Sequence, residues 1–117
     1  MIFYRYQDEP LFEGGVRIEE KNFVLIRETP CGYWIFPGYI LNYLQENSPF
    51  SGEMVKKYKK WVSKTSIKRY AYPTKRAALE NLAARKRRQI DHTTYFLDRA
   101  KKALFFAEIM LEKESTE

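Results

Sequence analysis

The chain predicts an α+β fold, an N-terminal antiparallel β-sheet followed by a long C-terminal α-helix that is either continuous or broken near its middle. Three observations predict it. The stretch from Gly15 to Ile35 is rich in β-branched and aromatic residues set around turn signals. Pro73 closes the sheet region, because a residue without an N–H cannot continue a ladder. From Lys75 to Lys113 there is neither Gly nor Pro, and Ala, Leu, Lys, Arg and Glu dominate.

Taken in order, strands are expected near 15–20, 22–29 and 32–37, with turns at Glu20-Lys21 and Pro30-Cys31-Gly32, which makes an antiparallel meander. Gly38 to Glu53 holds a short apolar pattern, Tyr39-Ile40-Leu41-Asn42-Tyr43-Leu44, ahead of Asn47-Ser48-Pro49-Phe50-Ser51-Gly52. It reads as a helical turn and loop inserted between strands. Pairing is expected to resume at Tyr58 to Ser63, where bulky and basic residues alternate, and again at Lys68 to Tyr72. Thr74 is the expected N-cap of the helix.

A helix of about 39 residues runs roughly 58 Å, more than a domain of this size covers alone. Its residues Leu79, Leu82, Phe96, Ala100, Ala103, Ala107 and Met110 follow helical spacing, while Lys86, Gln89 and Thr93 interrupt the stripe and Thr93-Thr94 is its weakest point of propensity. The run Leu104 to Leu111 is its most apolar part. A homo-oligomer contact, dimeric or higher, accounts for that run; packing back onto the sheet is the other way to bury it.

The length of 117 residues predicts one domain, with a sheet portion 1–72 and a helical portion 74–115. Hydrophobic residues at 44% and aromatics at 16% argue against a disordered tail, and 31% charged residues with no spanning apolar run argue against a membrane segment. The N-terminus Met1-Ile2-Phe3-Tyr4-Arg5-Tyr6 has no signal-peptide pattern, so an intracellular location is expected. Cys31 and His92 are the only residues of their types, which leaves no internal disulfide and no zinc set; neither a metal nor a cofactor is expected.

The net charge of +6 is unevenly spread. Met1 to Met54 carries −4, Val55 to Lys102 carries +13 and Ala103 to Glu117 carries −3. A local basic surface of that density attracts phosphate. Catalysis is not expected: Asp91 and His92 are helix neighbours whose side chains diverge, no nucleophile motif surrounds Cys31 or any Ser, and Gly14-Gly15 precedes no helix.

Binding has better support. Aromatics and cations interleave through Tyr58, Lys59, Lys60, Trp61, Lys64, Lys68, Arg69, Tyr70 and Tyr72, and cations recur at Arg85, Lys86, Arg87 and Arg88. Aromatic faces stack bases and cations meet phosphates, which is what a nucleotide or a single-stranded nucleic acid needs. Trp34 and Trp61 read as core residues. Tyr70 and Tyr72, beside Lys68 and Arg69 at the sheet-to-helix junction, suit the core and a ligand equally, and Asn81 suits either plain exposure or, through its amide, a base or ribose edge.

Two segments carry a family resemblance: Arg27-Glu28-Thr29-Pro30-Cys31-Gly32-Tyr33-Trp34-Ile35, and Lys68-Arg69-Tyr70-Ala71-Tyr72-Pro73-Thr74-Lys75 through Ala84-Arg85-Lys86-Arg87-Arg88-Gln89-Ile90. Over about half the chain they resemble small phage proteins of the Thoeris anti-defence sponge family, first type. The resemblance implies a non-catalytic protein that sequesters cyclic ADP-ribose isomers made by bacterial TIR enzymes, and in some members cyclic oligonucleotides at separate sites of a higher oligomer. It implies action in the cytoplasm of an infected bacterium. In that family an aromatic residue stacks the base, an amide reads polar edges and arginines hold phosphates; the matching positions here are Tyr70, Asn81, and Arg85, Arg88 or Arg99. The segment 38–54 matches no part of the pattern. Without the resemblance, the basic stretch equally suits a small DNA- or RNA-binding protein, and the acidic N-terminal half suits a protein that grips another protein.

Overall fold

The fold is described by a computed structural model for residues 1–39 and 56–116. The helical turn expected within 38–54 lies, beyond Tyr39, outside the described residues. Four strands form one antiparallel sheet in the order of the chain, β1 (Ile2–Pro10), β2 (Val16–Glu28), β3 (Gly32–Pro37) and β4 (Lys60–Ser63). One helix follows, α1 (Lys75–Thr116). The α+β expectation therefore holds, with strands differently bounded.

The first strand, β1, pairs along its whole length with β2, from Ile2 opposite Val24 to Pro10 opposite Val16. The loop between them closes with Leu11 N–H donating to Gly15 O (2.8 Å) and Gly14 N–H to Leu11 O (3.1 Å). Gly14 sits at φ 93°, a backbone conformation that side chains with a Cβ resist. Because β2 is unbroken, the turn expected at Glu20-Lys21 does not form. Neither residue forces a reversal, and both are held in register opposite Tyr6 and Arg5. The Pro30-Cys31-Gly32 turn does form, closed by Thr29 N–H to Gly32 O at 2.8 Å. At Gly32 an added Cβ would lie 2.3 Å from Val62 O and 2.6 Å from Trp61 Cζ2, so the close approach of β4 excludes any side chain there.

The register sorts the side chains onto two faces. Phe3, Phe23, Ile35 and Val62 share one face and are buried together with Ala71, flanked by Leu25, Tyr33 and Tyr70. Ala71 and Tyr70 belong to the segment that leaves β4 and crosses this face to the far edge of the sheet. There Tyr72 makes one bridge with β1: Tyr4 N–H donates to Tyr72 O (2.6 Å) and Tyr72 N–H to Tyr4 O (2.9 Å). The strand expected at Lys68 to Tyr72 is thus reduced to a single residue, since the crossing uses up the length before Pro73 stops the pairing. The strand expected from Tyr58 begins at Lys60.

On the opposite face, Tyr6, with Tyr4 and Tyr72, packs against Ala78 and Leu82 of the first turns of α1. Trp34 and Trp61 are also on this face, cross-strand neighbours with ring centroids 5.0 Å apart. The expectation that both are core fails, because Trp61 is 39% exposed and Trp34 half-buried. Strand β4 is an edge of the sheet, and only its inward residue Val62 is enclosed.

Thr74 caps α1 as expected, its Oγ1 accepting from Ala77 N–H at 3.2 Å. The helix runs 42 residues without a break, through Thr93-Thr94. The chain divides into two compact units, Met1–Leu82 and Ala83–Glu117. The second is helix throughout its described length, and every residue from 87 to 108 is exposed.

Candidate functional site

Tyr70 is placed by the crossing segment. Arg69, just before it, ties that segment to itself: Nη2 donates to Lys64 O (2.7 Å) and Nε to Ser66 O (2.9 Å). The Ser63 hydroxyl accepts from Thr65 N–H (3.2 Å) and Ser66 N–H (3.1 Å). The Tyr72 hydroxyl closes the other end, accepting from Arg69 N–H (3.3 Å) and Asn81 Nδ2 (3.0 Å) and donating to Ile67 O (3.2 Å). Those bonds hold the Tyr70 ring half-buried on the sheet, edge-on to Phe23 with centroids 5.4 Å apart.

Two cations address that ring. The Arg5 guanidinium lies 4.4 Å from the ring centroid, and its Nη1 also donates to Tyr70 O at 2.7 Å. The Lys60 ammonium lies 5.4 Å from the same centroid. A tyrosine face attracts cations through its quadrupole, and here it concentrates positive charge beside an aromatic surface.

The ring forms part of the wall of a cavity of about 700 Å³. Strand β2 is longer than β3, whose pairing stops where Pro37 meets Phe23, so the earlier half of β2 borders a recess. Phe23, Tyr39, Tyr58 and Tyr70 supply its aromatic wall. Lys21 and Lys60 bring positive charge and Glu19 an acceptor, while Glu20 and Asn22 line it from positions whose side chains alternate to the face of Tyr6 and Tyr4. This volume is within the range of small-molecule sites, and the mixture suits a flat ring with both anionic and hydroxyl groups.

The residues singled out from the sequence do not all meet here. Tyr70 lines the cavity. Lys68 is exposed and is not on the cavity wall. The side chains of Arg69 and Asn81 are engaged with the crossing segment, in bonds that shape the junction. Arg85, Arg88 and Arg99 belong to the helical unit, where they fall within about 60° of one another around the axis at 100° per residue. Arg88 and Arg99 are exposed, and Arg85 is half-buried. Arg85, Lys86, Arg87 and Arg88 together encircle the helix, since four successive residues occupy all its sides. Sequence reasoning missed Arg5, Lys21 and Tyr39; only the register of β1 on β2, which puts Arg5 opposite Lys21, brings the first two to this face.

Beside the cavity, Glu20 links the sheet to the start of α1. The Tyr6 hydroxyl donates to Glu20 Oε1 at 2.6 Å, and Lys75 Nζ lies 3.3 Å from the same oxygen. The hydrogen bond from Tyr6, reinforced by Lys75, holds the Glu20 carboxyl below its usual range despite some desolvation. The same hydrogen bond, with burial and the carboxylate charge, pushes the Tyr6 phenol up to about 12. Among the described residues no group of His, Cys, Asp and Glu is arranged to hold a metal ion, and no helix is long and apolar enough to cross a membrane.

Neither a protein-family profile, nor a characterised protein, nor a solved structure matches this chain.

Proposed function

We propose that this protein binds and sequesters a small cyclic nucleotide without cleaving it, as a phage sponge against Thoeris-type defence acting in the cytoplasm of the infected bacterium. The observation that carries the reading is Tyr70 on the wall of a nucleotide-sized cavity with Arg5 and Lys60 over its ring. A base stacks on the Tyr70 face by displacing the flexible Lys60 side chain, whose ammonium then stands beside the ligand's phosphates. The Glu19 carboxylate accepts from a ribose hydroxyl or an exocyclic amine. That the ligand is cyclic, a cyclic ADP-ribose isomer or a cyclic oligonucleotide, rests on the family resemblance. In this reading the chain is a homo-oligomer through its C-terminal helix, and Arg85, Arg88 or Arg99 of a neighbouring copy completes the phosphate clamp.

Calorimetry with cyclic ADP-ribose tests it. Wild-type protein is expected to bind and release the ligand unchanged, as judged by mass spectrometry after heating. Tyr70→Ala is expected to weaken binding about ten- to a hundredfold, the loss of one stacking contact. A wild type that binds no cyclic nucleotide sinks the proposal; unchanged affinity in folded Tyr70→Ala moves the site elsewhere.

One observation favours a second reading, a small basic DNA- or RNA-binding protein: the exposed Arg88 and Arg99 share one side of the helix with Arg85. Duplex binding is then expected to fall steeply with salt. Tight binding in a shift assay that survives physiological salt, with no response to cyclic nucleotides, would put this reading first.

A further inference from the structure

The helical unit carries an apolar face laid out on a seven-residue repeat. Ile90, Leu97, Leu104 and Leu111 are spaced by seven, Phe96, Ala103 and Met110 form the column before them, and Ala100 and Ala107 the column between. Three positions in seven make the wide apolar stripe of a helix that packs against another helix. Ile90, Phe96, Leu97, Leu104, Met110 and Leu111 are 54% to 68% exposed, so the face is uncovered in the single chain. The small Ala columns let a partner helix approach to the usual 8–10 Å.

We infer that this face is covered by the same face of a second copy of the chain, with the two helices antiparallel about a two-fold axis near Leu104. This adds direction and register to the oligomer invoked above, and rests on that part of the reading and not on the ligand. Charge selects both. Within the helical unit, Ala83 to Lys102 holds 7 basic and 2 acidic residues, whereas Ala103 to Glu117 holds 1 basic and 4 acidic. A parallel pair aligns like with like along its whole length. An antiparallel pair lays the acidic end of each copy along the basic end of the other.

The flanking positions agree. Lys101 and Glu108 border the apolar face in one seven-residue column, and neither makes an ion pair among the described residues. In an antiparallel pair centred between them, Lys101 of each copy faces Glu108 of the other, giving two reciprocal pairs, as an isologous interface requires. In a parallel pair the Lys101 and Glu108 columns of the two copies lie on opposite sides of the interface, so the two residues do not face one another.

Light scattering on the full chain across a concentration series tests the contact, and charge exchange tests its direction. The wild type is expected to show twice the 14.1 kDa of one chain or a multiple of that mass, and Leu97→Glu with Leu104→Glu to return the single-chain mass. Lys101→Glu alone and Glu108→Lys alone are each expected to weaken the association about tenfold, by placing like charges opposite one another, while the double exchange restores it to within about threefold. Aromatic circular dichroism of the sheet unit identifies any variant that fails to fold, and for such a variant Lys101→Gln and Glu108→Gln, expected to weaken association more mildly, replace the charge reversals. A wild type that stays at single-chain mass, or charge exchanges whose effects add without restoration, overturns the inference. No readout uses a nucleotide, so calorimetric failure of the ligand reading and failure of this pairing are separate results.

Discussion

The two units of the chain solve the problem of apolar surface in opposite ways. In Met1–Leu82 the large apolar side chains Phe3, Phe36, Ile35 and Val62 are almost wholly buried, and no buried side-chain polar atom among the described residues lacks a hydrogen-bond partner. In Ala83–Glu117, Phe96, Leu97, Phe105, Phe106 and Met110 are more than half exposed, although the sequence is just as apolar there. The sheet unit thus holds a buried core even though Phe12 and Ile67 stay exposed, whereas no described residue of the helical unit is buried. The difference also separates roles: the cavity is built entirely from the closed unit, and the densest cation run lies on the open one.

The sharpest way to break this comparison is to make the same deletion in both units. Phe3→Ala removes a fully buried ring and is expected to cost about 3–5 kcal/mol, a large drop in the urea midpoint. Phe105→Ala removes a ring that is 60% exposed and lies off the seven-residue face, and is expected to stay within about 0.5 kcal/mol. Equal losses would show that the helical unit is packed as tightly as the sheet.

Gly32→Ala probes the closed unit where it has no slack. The new methyl group meets backbone at 2.3 Å, which cannot yield as a side chain can, and the expected cost is about 2–3 kcal/mol. Thr74→Ala, at the point where sheet unit passes into helix, is expected to cost about 1 kcal/mol by unmaking the cap on Ala77.

The smallest effect concerns pH. Because the folded Glu20 carboxyl is held below its usual value of 4.5, its contribution is present above that value and is lost as pH falls through the lowered pKa. Tyr6 works in the other direction: raised from 10.0 to about 12, it contributes below pH 10 and loses that contribution as pH rises toward 12. Glu20→Gln is expected to flatten both limbs of the midpoint-against-pH curve. A curve unchanged in the variant would show that the Tyr6–Glu20–Lys75 link has no energetic weight.

The same division governs what the sequence made legible. The helix was readable from Thr74 onward, because a cap followed by nearly forty residues without Gly or Pro is a local signal. Strand β1 was not, because Ile2–Pro10 carries no internal turn signal and its partner begins only after the loop at Leu11–Gly15. Without β1, Glu20-Lys21 looked like a turn instead of the middle of a long strand. Tyr70 could be picked out by its basic and aromatic neighbours, but Arg5, more than sixty positions earlier, reaches it only through the crossing segment. The Asn81 amide, expected to suit a base or ribose edge, donates to the Tyr72 hydroxyl within the chain, a partner nine positions away that no local pattern signals.

Hydrogen exchange on the full chain, compared between wild type and Leu97→Glu with Leu104→Glu, tests most directly the claim that the sheet stands alone and the helix does not. Amides of β1, β2 and β3 are expected to keep their protection in the variant, while those from Ile90 to Leu111 are expected to exchange at least tenfold faster once the second helix is lost. Protection that falls in the strands together with the helix, or that persists in the helix of the variant, would contradict the claim.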